Sequence, residues 1–193
     1  MNSADVIVIG AGASGFIAAG IAAQQGKSVL LIEKKTRPAI KLSITGKGRC
    51  NVTNNCDRDT LIKSVPTNSR FLYSAFSAFT PQDTMQFFEE NGVPLKTERG
   101  NRVFPVSDRS IDIIDCLFKQ LCQNGVKLVN EKVTELIIED SQVLGVKTET
   151  RAYYSDSVLL RAEGVRIRRQ VRTVTVIRLL NKRGIQFLNL FRH

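Results

Sequence analysis

The sequence has one histidine and no tryptophan. The histidine, His193, is the last residue, so the body of the chain holds neither a Ser-His-Asp triad nor a histidine-based metal site. C-x-x-C spacing is also absent, because five residues separate the members of each cysteine pair: Cys50 and Cys56, Cys116 and Cys122. The composition therefore predicts no zinc site, no dithiol redox motif and no bound metal.

Long apolar runs are absent as well. No segment reaches the length of a membrane-spanning helix, and residues 1–5 contain no basic residue that would begin a signal peptide. We therefore expect a cytoplasmic protein with reduced thiols and no membrane partner. Hydrophobic residues make up 42% of the 193 positions. That share is enough for a globular core, and it excludes a disordered tail or a small disulfide scaffold.

Acidic residues are scarce only near the end of the sequence. The net charge of +10 comes from 28 Lys and Arg against 18 Asp and Glu. Residues 161–193 contain nine of the basic residues and one acid, Glu163, whereas residues 1–160 contain 19 basic and 17 acidic residues. Because the body is nearly neutral, the composition predicts no specific nucleic-acid partner for it.

The first 33 residues have the pattern of a βαβ unit. The short apolar, β-branched run at 5–9 predicts a buried parallel strand, and the run at 28–32 predicts a second one. An Ala- and Ile-rich helix is predicted between them over 16–25, with Gly26 just after its end. Strand, glycine turn, helix and strand in this order indicate a right-handed crossover.

The remaining sequence predicts helices and short strands around one long loop. Residues 34–55 are polar and rich in Gly, Lys and Asn, which indicates an ordered functional loop. Together the elements indicate an α/β fold with a parallel sheet and a β-meander crossover at about residues 126–150. The further predicted elements are helices at 69–79, 80–91 and 109–123, hairpins at 93–106 and 132–148, and strands at 126–129 and 153–160.

A complete G-x-G-x-x-G motif, Gly10 to Gly15, lies between the first strand and the first helix. Gly10 makes the tight turn, Gly12 lets a pyrophosphate approach the backbone, and Gly15 lets the helix pack close to the strand. The diphosphate then lies at the positive N-terminus of the helix. This context predicts a Rossmann-like FAD/NAD(P)-binding domain; the alternative is a glycine turn without a ligand.

An acidic residue follows the motif at the expected distance. Glu33 ends the second strand, 18 positions after Gly15. Its carboxylate can accept hydrogen bonds from an adenosine ribose, and it would repel a 2′-phosphate. The motif therefore predicts FAD or NAD in preference to NADP, and it does not separate FAD from NAD.

The long loop contains a second unusual stretch, KLSITGKGRCNVTN at 41–54. Its two glycines can bring backbone N–H groups close to a bound group, and its basic and amide side chains can contact an anion. Such a loop can wrap a cofactor diphosphate or the edge of a flavin; the alternative is a solvated basic loop. The side chains and glycines concerned are Lys41, Gly46, Lys47, Gly48, Arg49, Asn51 and Asn54.

Four segments together resemble the HI0933-like family of bacterial flavoproteins, which includes the BaiN-type bile-acid reductases: DVIVIGAGASGFIAA, SVLLIEK, KLSITGKGRCNVTN and GNRVFPVSDRS. The resemblance covers residues 4–160. It implies an oxidoreductase in which hydride passes from NAD(P)H through FAD to a small-molecule substrate. It also implies that FAD is bound by Gly10, Gly12, Ala13, Ser14, Gly15, Glu33, Lys34, Lys41, Gly48, Arg49, Cys50, Asn51 and Val133. Among these, Val133 would contact the adenine through its backbone.

Cys50 has basic neighbours that could favour a thiolate. The family uses this loop for binding, however, and no C-x-x-C partner is present. We therefore predict no redox role for its thiol. The sequence assigns no catalytic acid or base either.

After Leu160 the sequence departs from the family pattern, which continues with A-T-G-G and then a glycine-rich segment. Residues 161–193 instead alternate Arg with Val and Ile. Reading the codons from Val165 one nucleotide out of register permits S-Y-P-P-T-G-S-D-G-D-G-Y, which resembles the missing segment. We therefore divide the chain into an FAD-binding domain at 1–160 and an atypical basic tail at 161–193, and we hypothesise a frameshift that the genomic DNA would decide.

Two functions follow as hypotheses. In the first, the chain is the FAD-binding portion of an NAD(P)H-linked flavoprotein oxidoreductase, truncated and inactive without a substrate domain. In the second, it is a non-enzymatic module whose basic tail binds nucleic acid or another acidic surface. The sequence gives no oligomeric state.

Overall fold

The computed structural model describes residues 2–140 and 142–160. The predicted basic tail and its frameshift lie outside these residues. The described residues form two compact units, the first from residues 2–39, 119–140 and 142–160 and the second from residues 40–118. The single domain at 1–160 that the sequence analysis expects stays a prediction.

Most helices and strands of the described residues lie where the sequence predicts them. The strands are β1 Ser3–Ile9, β2 Val29–Glu33, β3 Thr53–Asn54, β4 Leu95–Glu98, β5 Arg102–Pro105, β6 Lys127–Asn130, β7 Val133–Glu139, β8 Gln142–Thr148 and β9 Ala152–Leu160. The helices are α1 Ala13–Gln24, α2 Ile40–Ile44, α3 Arg58–Lys63, α4 Tyr73–Ala78, α5 Pro81–Glu90 and α6 Ser110–Gln123. Two 3₁₀ turns lie at Thr45–Gly48 and Ser69–Leu72.

The first unit contains a six-stranded sheet in the order β6-β2-β1-β9-β8-β7. β6, β2, β1 and β9 run parallel, whereas β9, β8 and β7 form an antiparallel meander. Ile7 at the centre pairs with Leu30 of β2 and with Val158 of β9. The structure therefore confirms the predicted α/β fold with a mainly parallel sheet. The meander, predicted at about residues 126–150, instead runs through β7, β8 and β9, because β6 pairs in parallel with β2 outside it.

The predicted βαβ unit is present, and its two strands are buried on both faces of the sheet. Ile7, Val8 and Leu31 have no exposed surface, as expected for apolar runs in a parallel sheet. α1 packs on β1 and β2 and buries its small residues there, together with Phe16. The helix ends before Gly26, whose φ is +78°, a left-handed conformation typical of helix ends.

The second unit contains the three-stranded antiparallel sheet β3-β5-β4. The predicted hairpin turns at Gly100 and Asn101, both with positive φ. α5 begins as predicted at Thr80 with Pro81 in the first turn, and Asp83 completes a capping box. The Thr80 Oγ1 accepts from the Asp83 N–H at 3.1 Å, and the Asp83 carboxylate accepts from the Thr80 N–H at 2.7 Å.

Three segments differ from the predictions. Residues 34–55, predicted as a loop, contain α2, a 3₁₀ turn and β3, and the helix predicted at 69–79 is a 3₁₀ turn followed by α4. α3 was not predicted, although Asp57 caps it by accepting from the Thr60 N–H at 2.8 Å. These segments are too short to show a helical period, and short helices depend on tertiary packing more than on propensity.

None of the helices in the described ranges, 2–140 and 142–160, has the length and apolar character needed to span a membrane.

Candidate dinucleotide-binding site

The glycine turn joins β1 to α1 in the geometry that the motif predicts. Gly10 has φ +100°, a region that side chains disfavour, and its N–H donates to the Ile32 carbonyl at 2.8 Å. Gly12 is the extended N-cap residue of α1. It provides no side-chain cap, and the first helical turn contains no acidic residue. The N–H groups at this helix end are therefore suited to an anion.

Gly15 packs against the turn so closely that only glycine fits. A Cβ at this position would lie 1.9 Å from the Gly10 carbonyl oxygen and 3.7 Å from Val8 Cγ1. The first atom belongs to the backbone and cannot move aside alone. The helix can thus begin directly beside the strand, which is the packing role predicted for the third glycine.

Glu33 places its carboxylate beside the glycine turn. Its Oε2 accepts a hydrogen bond from the Ala11 N–H at 2.8 Å, and its Oε1 accepts from the Lys35 N–H at 2.9 Å. Its backbone carbonyl accepts from the Asn130 side-chain amide at 2.9 Å. The structure therefore brings together the motif and the acidic residue that the sequence singled out, although they are far apart in the chain.

These features fit the adenosine and diphosphate part of a dinucleotide. Ala13 is half-buried and Ser14 is exposed at the start of α1, where a diphosphate would meet free helix N–H groups. At the end of β2, the carboxylate of Glu33 is an acceptor of the kind that ribose hydroxyls would need. The N–H groups at the start of α1 suit an anion, and the Glu33 carboxylate suits a sugar, as the motif predicts.

Val133, the residue predicted to contact adenine, begins β7 in the same unit and is buried. It pairs with Thr148 across the meander. The neighbouring Glu131 accepts hydrogen bonds from the Thr148 hydroxyl at 2.6 Å and from the Tyr153 hydroxyl at 3.0 Å. These bonds fix the start of the strand. Lys34, directly after β2, is exposed.

The second unit contains the other predicted loop. Its backbone is left-handed at Gly46 (φ +57°), Lys47 (φ +60°), Gly48 (φ +89°) and Cys50 (φ +63°). Two of these residues have side chains, so this conformation is strained. Strained backbone clusters at binding sites, and successive N–H groups in such a segment can form an anion-binding concavity. Lys41 lies exposed on α2.

Arg49, predicted as a source of positive charge for the cofactor, is held by two carboxylates. Its Nη1 lies 2.8 Å from Glu98 Oε1 and 3.2 Å from Asp108 Oδ1. The hydrogen bond from Arg49 holds the pKa of Glu98 below its usual range. For Asp108 a hydrogen bond from Lys96 has the larger part in lowering the pKa, with Arg49 adding to it.

Cys50 and Asn51, two further predicted site residues, also lie in the second unit. The Cys50 side chain is fully buried, and burial raises the pKa of its thiol while a hydrogen bond with Thr45 acts in the opposite direction. A buried thiol is a poor nucleophile, which supports the absence of a redox role. When the Asn51 side-chain amide is turned so that its nitrogen and oxygen exchange places, the nitrogen donates to the carbonyls of Thr53 and Val103 at 3.1 Å each, and in this orientation it secures the loop to β5.

Three residues around the second loop, Glu98, Phe104 and Asp108, are not among the site residues that the sequence predicts. Phe104 and Asp108 lie in GNRVFPVSDRS, one of the segments that resemble the family. Among the described residues, no group of three His, Cys, Asp or Glu side chains could hold a metal ion.

The predicted site residues fall into two groups, one in each unit. The first unit contains Gly10, Gly12, Ala13, Ser14, Gly15, Glu33, Lys34 and Val133, and the second contains Lys41, Gly48, Arg49, Cys50 and Asn51.

The parallel sheet, the glycine turn and Glu33 define a Rossmann-type nucleotide-binding protein. Comparison with known families narrows this class. The chain belongs to the family described as the HI0933-like protein Rossmann domain, which matches residues 4–190. The match includes residues 161–190, although the sequence predicts that the resemblance breaks after Leu160.

Two curated relatives show the range of activities among similar proteins. The chain is 33% identical over 125 residues to ribosomal RNA dihydrouridine synthase from Escherichia coli, a match that covers 65% of this chain and 30% of that protein. It is 27% identical over 159 residues to 3-dehydro-bile acid delta(4,6)-reductase from Clostridium scindens, covering 81% and 38%. The chain therefore spans about a third of the length of these relatives.

Solved structures support the fold. The chain superposes on 3-ketosteroid-delta4-(5alpha)-dehydrogenase from Rhodococcus jostii with a TM-score of 0.65 at 14% identity, over 81% of this chain and 45% of that one. L-proline dehydrogenase from P. horikoshii gives a TM-score of 0.56 at 15% identity, over 82% and 52%. At these identities the likeness shows the fold alone.

Proposed function

We propose that this chain binds FAD and forms the cofactor-binding part of a flavin-dependent oxidoreductase. The observation that carries the proposal is the Glu33 carboxylate, which lies at the glycine turn within 2.8 Å of the Ala11 N–H. A carboxylate there favours a free ribose over a 2′-phosphate, so NADP is disfavoured as the resident dinucleotide. The resemblance to a flavoprotein family supports FAD over NAD.

The residues of the chain act on the cofactor by binding and orienting it. The N–H groups at the start of α1 would hold the diphosphate, and Glu33 would accept hydrogen bonds from the ribose. The backbone of Val133 would contact the adenine. When bound, FAD supplies two-electron hydride transfer, a chemistry that amino-acid side chains lack.

We further propose that the whole protein adds hydrogen across a carbon–carbon double bond next to a carbonyl group. Dihydrouridine differs from uridine by two hydrogens on such a bond, and a bile-acid delta(4,6)-reductase acts on ring double bonds, so the names of the two relatives support this class. In this reaction one carbon receives the hydride that NAD(P)H gives up in becoming NAD(P)⁺, and its neighbour receives a proton from solvent.

The alternative function, a module whose basic tail binds nucleic acid or an acidic surface, has less support. It depends on residues 161–193, which lie outside the described part of the chain. Membership of the HI0933-like family instead favours the oxidoreductase.

The experiment is to purify the chain, release any bound chromophore by heat and identify it by chromatography. We expect FAD. Reconstituted protein is then mixed with NADH or NADPH without oxygen, and the loss of the flavin absorbance band is followed. Release of NAD instead of FAD, or a folded chain that remains colourless after incubation with FAD, would contradict the proposal.

A further inference from the structure

Glu131 lies in the two-residue link between β6 and β7, and three donors surround its carboxylate. Its Oε1 accepts from the Tyr153 hydroxyl at 3.0 Å and lies 3.2 Å from Arg151 Nε, whereas its Oε2 accepts from the Thr148 hydroxyl at 2.6 Å. Only 13% of the side chain is exposed. Hydrogen bonds to a charged group are stronger than neutral ones, so these contacts hold the carboxylate in one place.

Hydrogen bonding keeps this carboxylate ionised at neutral pH. Burial acts to raise the pKa of Glu131, but hydrogen bonds from the surrounding hydroxyls outweigh it and hold the pKa below its ordinary value of 4.5. Burial, and then the bond to Glu131, raise the pKa of the Tyr153 hydroxyl. The phenol therefore stays protonated and donates, and the carboxylate accepts.

These contacts join three segments of the first unit. Thr148 ends β8, Tyr153 lies near the start of β9, and Glu131 lies two residues before β7. The backbones of the link and of the turn between β8 and β9 are bonded as well, because the Glu149 N–H donates to the Lys132 carbonyl at 3.2 Å. The Glu131 carboxylate thus ties the start of β7 to the ends of two neighbouring strands.

Val133, the first residue of β7, turns its backbone polar groups away from β8. It faces Thr148 across the two strands. The bond from the Glu149 N–H to the Lys132 carbonyl flanks this pair, and the Thr148 N–H donates in the other direction, at 2.8 Å to a carbonyl of the turn between β8 and β9. Such a pair shares no hydrogen bonds. In the sheet formed by residues 2–140 and 142–160, β7 is the last strand, so the Val133 N–H and C=O point to an open edge.

This edge lies on the side of the first unit that holds the glycine turn. Val133 is buried in the same cluster as Ile9 and Ile32, the last apolar residues of β1 and β2. Asn130, three residues earlier, pairs with Glu33 in the sheet, and three residues of chain span at most about 11 Å. Buried backbone groups are almost always hydrogen-bonded. The edge is therefore suited to the base of a nucleotide whose ribose contacts Glu33.

We infer that Glu131 is a positioning residue through which the site selects adenine over other purines. By holding the link, its carboxylate keeps the Val133 N–H and C=O aimed at the base. Adenine offers an acceptor at N1 beside a donor at N6, which match these two groups, whereas hypoxanthine offers a donor and an acceptor in the reverse order. The inference rests on the proposed function, in which the Val133 backbone contacts the adenine.

The experiment measures the dissociation constants of ADP and of inosine diphosphate (IDP) for the full chain and its variants. The two ligands share the ribose and the diphosphate, and only the base differs. The wild-type chain should bind ADP at least about tenfold more tightly, because hypoxanthine leaves two backbone groups unpaired. Glu131→Ala should weaken ADP binding about tenfold and leave IDP binding unchanged. General destabilisation would instead weaken both ligands.

Two conservative variants test the carboxylate and one of its donors separately. Glu131→Gln keeps one acceptor oxygen and should retain part of the preference for ADP. Tyr153→Phe removes only a hydroxyl from a buried ring and should reduce the preference about threefold. Combining Tyr153→Phe with Glu131→Ala should cost no more than Glu131→Ala alone, because the hydroxyl acts through the carboxylate.

Glu135→Gln is the matched control. Glu135 also lies on β7, and its exposed carboxylate is 3.9 Å from the Lys147 ammonium. The change therefore removes one negative charge from the same strand without touching the link. Both affinities should stay at their wild-type values. If Glu135→Gln reduced the preference as much as Glu131→Ala, charge alone would explain the effect and the inference would be wrong.

The remaining outcomes separate the inference from the proposed function. Equal binding of ADP and IDP by the wild-type chain, or a folded Glu131→Ala variant that keeps the full preference, would overturn the inference, while binding of FAD would leave the proposed function intact. Circular dichroism shows whether Glu131→Ala folds. If it does not, an unchanged preference in both Glu131→Gln and Tyr153→Phe overturns the inference. A folded wild-type chain that binds neither FAD nor ADP would overturn the proposed function and the inference with it.

Discussion

Glycines 10, 12 and 15 differ in what the structure demands of them. Gly10 needs a positive φ, and Gly15 has no room for a side chain because the Gly10 carbonyl occupies the place of its Cβ. Gly12 is extended at the N-cap, a conformation open to other residues, so its requirement comes from the space that a diphosphate would need. Two of the three glycines are thus explained by the fold itself, and the third by the ligand.

Replacing Gly15 with alanine should destabilise the chain. The added Cβ would lie 1.9 Å from a backbone oxygen, and we expect the free energy of unfolding to fall by about 3 kcal/mol. Gly20→Ala is the matched control in the same helix, because nothing lies within 4 Å of its added Cβ. It should raise stability by about 0.5–1 kcal/mol. Urea unfolding measures both, and equal stabilities would contradict the packing account.

Glu33 should contribute to dinucleotide affinity through its charge. Glu33→Gln keeps an oxygen for the Ala11 N–H and loses the charged acceptor for the ribose, so the FAD dissociation constant should rise about tenfold. Glu149→Gln removes one negative charge from an exposed ion pair with Lys132 in the same unit and should leave the affinity unchanged. Calorimetric titration gives both values. Equal affinities for Glu33→Gln and the wild-type chain would show that the carboxylate has no part in binding.

At the scale of helices and strands, the sequence predicts those elements that a local pattern of residues determines. The apolar runs that became β1 and β2, and the Thr80-Pro81 start of α5, are confirmed. The partners of Arg49 could not be predicted, because Glu98 and Asp108 are 49 and 59 residues away and lie in segments without a repeating pattern. A pairing over such distances is set by tertiary structure, which no local period reports.

The cap of α5 makes stability depend on pH. Hydrogen bonds from the Thr80 backbone and side chain hold the pKa of Asp83 below its ordinary value of 3.8. A carboxyl with a lowered pKa in the folded state stabilises the chain above that ordinary value, and this contribution is lost as the pH falls through the lowered pKa. When the melting temperature is plotted against pH, the Asp83→Asn variant should therefore show a smaller fall on the acid limb than the wild-type chain.

Thr80→Ala is the companion variant for this cap. It removes the hydroxyl that bonds the Asp83 N–H and should cost about 1 kcal/mol at neutral pH. It should also flatten the acid limb, because Asp83 loses one of its hydrogen bonds. Acid limbs that are identical in the wild-type chain and both variants would contradict the assigned cap.

At the scale of the whole molecule, the chain spans 30% and 38% of the lengths of the two relatives compared above. The fold class and family membership could be predicted from the sequence, because the glycine motif and the 41–54 loop are local signals. The division of the chain into two compact units could not, since residues 119–160 rejoin the first unit through the long-range pairing of β6 with β2 and of β9 with β1.

The reading frame after Leu160 is open to a direct test. The hypothesis of a frameshift predicts that genomic DNA, read one nucleotide out of register from the Val165 codon, encodes S-Y-P-P-T-G-S-D-G-D-G-Y. Sequencing the locus checks it, and amplification from independent cultures controls for sequencing error. A shifted frame interrupted by stop codons would remove the hypothesis, and the family match through residue 190 would then describe the genuine chain.

The measurement that bears most directly on the account is a calorimetric titration of the chain with FAD, beside the Gly12→Val variant. The wild-type chain should bind one FAD with saturable heat, and the variant should show the same far-UV circular dichroism with no detectable binding, because the valine side chain would fill the space of the diphosphate. A folded wild-type chain that binds neither FAD nor NAD, or a variant that binds as tightly, would contradict the dinucleotide site.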